Sequence, residues 1–155
     1  MTARSLQERL APRSTCFGCG PANEQGLRIR SFPQPDGSVL VRFRARPGHE
    51  AFAGFLSGGI AGTLADCGMN WAAIDALMRK NLLDAAPSTV TLEYSLSFRR
   101  PIPTGGEIEL LARAVEVSAD RAVVEATIRA SDRDCATARG TFVIVKEGHP
   151  AFGRW

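Results

Sequence analysis

Between Ser57 and Ile74 the chain carries a single carboxylate, Asp66, set among residues that are almost all apolar. Burying a carboxylate costs on the order of several kcal/mol unless it is paired or neutralised, so its presence there needs a reason. Burial also raises a carboxyl pKa, which suits a general base. A hydrogen-bonded structural aspartate is the other reading, and the run alone does not separate the two. Directly before it stand Ser57, Gly58 and Gly59. No bulky side chain covers the backbone N–H groups of a helix starting there, and these, with the positive end of the helix, can hold an oxyanion or a carbonyl oxygen. Ser57 as an ordinary helix cap is the alternative. Gly58 and Asp66 are eight residues apart, about 12 Å of helix axis at about 1.5 Å per residue, so one substrate meets both only by lying along the helix.

Cys16-Phe17-Gly18-Cys19 has the spacing of zinc and redox sites. A second pair would complete the set, but Cys67 and Cys135 are isolated from one another in sequence. Structural or incidental thiols are therefore expected, with no metal and no cofactor. A zinc- or redox-dependent protein is a further reading of the same pair. His49 and Glu50 sit in the loop before the glycines, with surface exposure the plain expectation for the histidine. Phe52, Phe55, Met69 and Trp71 either line an apolar pocket or belong to the core.

Positioning these groups requires a helix first. Ile60, Leu64, Cys67, Trp71, Ile74 and Met78 follow alternating steps of four and three, which predicts a helix over Ser57–Met78. Ala61, Ala65, Gly68, Ala72 and Ala76 mark its reverse face, so the helix is expected to be wrapped on most sides. Asn70, one turn beyond Asp66, either orients it or caps a polar pocket. Four glycines, Asn70 and Asp66 within that stretch exclude a membrane span.

Beyond Ser88 the period changes to two. Thr89 to Phe98 alternates polar odd positions with Val90, Leu92, Tyr94, Leu96 and Phe98, predicting a strand with one apolar face. Residues 107–117, 121–130 and 135–145 read as three more strands with short turns, hence antiparallel. Ala122, Val124, Ala126, Ile128 and Ala130, with Ala136, Ala138, Gly140, Phe142 and Ile144, form inward sets small enough to lie against a helix. Upstream, residues 27–32 and 38–45 read as a hairpin, and 46–56 as a loop. The fold class is α+β, a curled antiparallel sheet of about six strands wrapped around one long central helix. Residues 1–15 are expected to be flexible or a short helix around Ser5–Leu10, residues 16–146 to form the domain, and 147–155 to be a tail that Phe152 and Trp155 can dock.

The 155 residues fit one domain, and at this size a core holds without a disulfide or metal staple. With 45% hydrophobic and 23% charged residues, neither disorder nor a fibrous repeat is indicated. The net charge of +3 is dispersed, against a nucleic-acid module. The first 30 residues show no charged start followed by an apolar run, so reduced thiols and a cytoplasmic location are expected.

Ser57-Gly58-Gly59-Ile60-Ala61-Gly62-Thr63-Leu64-Ala65-Asp66 resembles the HGG-to-Asp signature of hot-dog fold acyl-CoA thioesterases of the phenylacetate (PaaI-like) type. Cys16 to Pro21 with Gly26-Leu27 is similar to the opening of one branch, and Tyr94 to Pro103 to the strand after the family's helix. The resemblance covers Cys16 to Lys146. It implies a hot-dog fold, hydrolysis of an acyl-CoA thioester to free acid and CoA, and a homodimer or homotetramer with sites at the dimer interface. By position, Asp66 would be the base or nucleophile, and the N–H groups of Gly58 and its neighbour Gly59 would polarise the thioester carbonyl. Thr91 would orient water in the partner subunit's site, or is one of several polar residues on an alternating strand.

Two positions depart from the pattern. The signature histidine is Ser57 here, and the amide side chain that many members carry falls on Ala51. Ser57 or His49 would stand in for the missing signature histidine. Arg99 and Arg100 meet the phosphates of coenzyme A, or are a solvated strand end. Besides the acyl-CoA substrate, no nucleic acid or membrane partner is expected. The rival reading is a non-catalytic acyl-CoA binding or sensing module, since fold alone does not fix function. A hot-dog dehydratase is disfavoured by the lack of a suitable Asp and His pair.

Overall fold

A computed structural model describes residues 2–155. Helix α2 (Gly58–Asn81) is its centre. Both the large stripe and the small reverse face are buried, with Leu64, Trp71 and Ile74 on one and Ala61, Ala65 and Gly68 on the other. Its end lies three residues past Met78, in a polar turn that apolar spacing cannot reveal. Arg79 pairs there with Asp75 and donates to the Gly37 carbonyl, and the Asn81 amide donates to Leu77 and Ala119. Leu82, in the left-handed region at φ 54°, closes the helix.

Around α2 curls one antiparallel sheet of six strands: β1 (Ser31–Pro33), β2 (Val39–Arg44), β5 (Thr89–Phe98), β6 (Glu107–Val117), β7 (Arg121–Ala130) and β8 (Arg133–Ile144). Their order is β1-β2-β6-β7-β8-β5, which leaves β5 at an edge. The small inward residues of β7 and β8 face the helix as their pattern required. The helix approaches β6 so closely that a Cβ on Gly68 would lie 2.7 Å from Leu110 Cδ2.

Three sequence expectations are corrected. The first strand is only 31–33, because Arg28 adopts φ 53° and residues 27–30 bond elsewhere: Leu27 N–H to Phe17 O and Ile29 N–H to Gly18 O, both 2.9 Å. The 46–56 loop contains a 3-10 turn at Pro47–His49 and a small hairpin of β3 (Glu50–Phe52) and β4 (Phe55–Leu56). Third, the single apolar face of β5 is interrupted. A bulge between Thr91 and Glu93 shifts the register against β8, so Thr89 and Thr91 face the helix as Tyr94, Leu96 and Phe98 do further on.

Both chain ends are tied to the core. Helix α1 (Leu6–Leu10) starts in a capping box of Ser5 and Glu8, and the buried Gln7 amide exchanges two 2.9 Å hydrogen bonds with Ser31. At the other end Trp155 packs against Trp71 with ring centroids 5.2 Å apart and the ring planes tilted by 47°, and its indole N–H donates to Pro87 O. Phe152 stays exposed. Among the described residues no helix is long and apolar enough to cross a membrane.

Gly68→Val forces two extra methyl groups and a Cβ into the α2–β6 contact. Overpacking of this kind costs about 1–3 kcal/mol, to be read as a lower urea midpoint at unchanged slope.

Candidate active site

Four residues of α2 spaced by four, Gly58, Gly62, Asp66 and Asn70, face strand β5. At the first two turns the helix side is bare glycine. A Cβ on Gly58 would touch the Phe98 ring at 3.8 Å, and one on Gly62 would come within 3.0 Å of the Tyr94 hydroxyl. At the next two the contact is polar. Thr91 Oγ1 donates to Asp66 Oδ1 at 2.6 Å, and Thr89 Oγ1 donates to Asn70 Oδ1 at 2.8 Å in a buried pair.

The carboxylate of Asp66 is half-buried and held above its ordinary pKa. Burial is the main cause; the Thr91 hydrogen bond opposes it, the negative charge of Cys16 adds to it, and the Arg154 guanidinium opposes it. Arg154 also donates to Thr89 O at 3.4 Å. Sequence reasoning missed both Cys16 and Arg154 as neighbours of Asp66. Nothing in local spacing links residues 16, 66 and 154; only the docking of the two chain ends brings them together.

Ser57 is the N-cap of α2, but its side chain makes no capping hydrogen bond. Gly58 and Gly59 are exposed, so the first-turn N–H groups are covered by neither a cap nor a side chain.

Several expectations change. Thr91 was expected to serve the partner subunit's site; the bulge instead turns it onto Asp66 of its own chain. Asn70 binds Thr89, not Asp66. His49 is buried, stacked on Phe43 with centroids 5.6 Å apart, and its Nδ1 accepts the Arg46 N–H at 3.1 Å. Its ring is therefore engaged in the strap before α2, while its carbonyl accepts the Ser57 N–H at 2.8 Å. Met69 and Trp71 are fully buried core residues. Phe55 is half-buried against the exposed Phe52 in the β3–β4 hairpin. The structure does not bring Arg99 and Arg100 to Asp66. Both are exposed, both backbone N–H groups donate to Cys135 O, and the Arg99 side chain lines a groove of about 520 Å³ on the outer face of the sheet.

The cysteines are also rearranged. Cys67, on α2, lies against the Cys16–Cys19 loop, and the three sulfur atoms fall within 4.8 Å of one another. Hydrogen bonds from Cys19 and Cys67 hold Cys16 well below the usual thiol range. Cys19 is pushed up to about 12, chiefly by its bond to Cys16, and Cys67 is raised as well. Isolation in sequence therefore misjudged Cys67, which the helix carries to the pair.

The profile of the thioesterase-like superfamily matches residues 49–150. No curated protein matches the chain. Among solved structures, a thioesterase superfamily protein from Shewanella loihica is 27% identical with a TM-score of 0.66, over 81% of this chain and 98% of that one. A mutant of the phenylacetic acid degradation protein PaaI from Thermus thermophilus is 22% identical, with a TM-score of 0.63 over 77% and 95%. A Streptococcus mutans protein solved bound to acetyl CoA is 22% identical, with a TM-score of 0.61 over 75% and 83%.

Burial first, and the Arg46 charge second, lower the pKa of His49 below its ordinary 6.5. The unfolded chain then binds the proton more readily, so this contribution to stability is whole above pH 6.5 and is lost as pH falls from there towards the folded pKa. In His49→Gln the urea midpoint should lose that part of its decline below pH 6.5, in a comparison of the two proteins across pH.

Proposed function

The chain belongs to the thioesterase-like superfamily and has the hot-dog fold, and from that premise we propose that it hydrolyses acyl-CoA thioesters. The observation that carries the reading is the face of α2 that sets an uncovered N-terminal turn and a half-buried carboxylate along one strand. Thr91 occupies Asp66 Oδ1, leaving Oδ2 to take a proton from water. The water oxygen attacks the thioester carbonyl carbon, and the Gly58 and Gly59 N–H groups hold the oxyanion that forms. The C–S bond then breaks, and the thiolate of coenzyme A leaves with the proton returned from Asp66. The acetyl CoA on the Streptococcus mutans relative supports a ligand of this class.

One chain does not place both groups on the same carbonyl. Hydrogen-bond reach is about 3 Å, whereas eight helical residues rise about 12 Å. The site is therefore completed between copies, the N-terminal turn of one α2 working with Asp66 of another. Edge strand β5 supplies the contact: Leu92, at the bulge, is 57% exposed and Phe98, beside Gly58, is 52% exposed. The assembly is a homodimer, or a homotetramer built from such dimers.

Free-thiol release from short, long and aromatic acyl-CoAs tests the chemistry. Asp66→Asn should lower turnover by about 10²–10⁴-fold with an unchanged circular dichroism spectrum, since a positioned base contributes that much. Thr91→Val removes the hydrogen bond that fixes the orientation of the carboxylate, so turnover should fall, by less than in Asp66→Asn. Saturable binding of the same compounds without thiol release would make the chain an acyl-CoA binding module instead. Light scattering should give a mass of two or four chains of 16.6 kDa; a monomer at assay concentration would remove the shared site.

A further inference from the structure

We propose that Cys16, Cys19 and Cys67 form a zinc site of three thiolates that fastens the loop of residues 16–29 to helix α2. The three sulfurs come from two segments far apart in sequence and lie within 4.8 Å of one another. A tetrahedral zinc with Zn–S bonds of about 2.3 Å separates its sulfurs by roughly 3.8 Å, so the widest pair closes by no more than about 1 Å, within the reach of small χ1 adjustments.

What surrounds the sulfurs is the shell a thiolate needs. The Trp71 indole N–H donates to Cys19 Sγ at 3.3 Å in the buried core. A thiol packed only as a small apolar group calls for no such donor, whereas an outer-shell hydrogen bond of this kind orients and stabilises metal-bound sulfur. Gly18 provides the close approach: a Cβ there would overlap the Cys67 sulfur and stand 2.7 Å from Thr63 Cγ2. Gly20 N–H donates to Cys16 O at 2.9 Å and closes the loop between the two ligands.

The group offers three protein ligands, and Cys16 is half-buried, so the fourth corner falls to solvent or a small ligand. Thiolates and a borderline-soft d10 ion suit one another better than a hard cation such as magnesium or calcium suits sulfur. Zinc displaces the protons of whichever of the three remain thiols. Bound there, it joins the loop that holds Leu27 and Ile29 to the turn of α2 on which Asp66 sits. The proposal stands apart from the hydrolysis reading, since the ligands are judged by metal content and not by turnover.

The test uses the full chain, untagged and kept reduced. Elemental analysis should find about one zinc per chain, held by the three thiolates. After chelation, Co2+ should restore a thiolate-to-cobalt charge-transfer band and the visible bands of a tetrahedral ion. Cys67→Ala and Cys19→Ala should each lose at least about tenfold in affinity, while Cys135→Ala, whose buried sulfur lies outside the group, keeps the metal. If the wild-type chain takes up neither zinc nor Co2+ when titrated, the proposal fails, and the wild-type measurement decides this even where a variant does not fold. Retention of metal in a folded Cys67→Ala protein would overturn it equally.

Discussion

Enclosing one helix in one sheet leaves its polar groups no water on most sides, so each must find a partner on whatever strand or segment faces it. Asp66 and Asn70 meet that constraint through the same strand, with Thr91 and Thr89 as donors. Either aspartate or asparagine left without its donor would cost about 1–3 kcal/mol or more. The β5 bulge makes both pairings possible, because without it the threonines and the aromatics of that strand would lie on opposite faces. Backbone register, polar satisfaction and the placement of the reactive carboxylate are thus one arrangement.

The helix, the four long strands and the small-residue faces were legible because periodicity reports burial directly: steps of three and four for α2, alternation for β6, β7 and β8. Asp66, Gly58 and Gly59 stood out for the same reason, as residues that break an apolar pattern. Where the pattern misled, a non-local bond had replaced a local preference. Leu27 to Arg30 has strand-like residues, yet its N–H groups pair with the 16–19 loop. Alternation through Thr91 to Glu93 is unbroken as text, while the backbone inserts one unpaired residue. A spacing of four through Gly58, Gly62, Asp66 and Asn70 was present in the sequence, but two glycines and two polar residues carry no hydrophobic signal.

His49 and Cys67 were misplaced in opposite directions, the histidine expected at the surface and the cysteine expected alone. Both errors treat a residue by its own segment. The strap of residues 46–57 crosses the N-terminal end of α2, so the ring of His49 lies on Phe43 while its carbonyl receives the Ser57 N–H. Cys67 is on the buried stripe of α2, and the stripe is covered there by the Cys16–Cys19 loop as well as by the sheet.

Trp71 shows how the two chain ends bear on the site. An apolar pocket would have used its ring as a wall; instead it is fully buried, with the indole N–H on Cys19 and the ring packed at a tilt against Trp155. One side chain thus contacts the N-terminal loop and the C-terminal tail, just over one helical turn beyond Asp66. The tail residue next to Trp155 is Arg154, and the loop residue three before Cys19 is Cys16, the two charges that act on Asp66 in opposite senses. A displaced Trp71 would therefore loosen both segments together. The electrostatic setting of the carboxylate depends on core packing at residue 71 as much as on the groups that touch it.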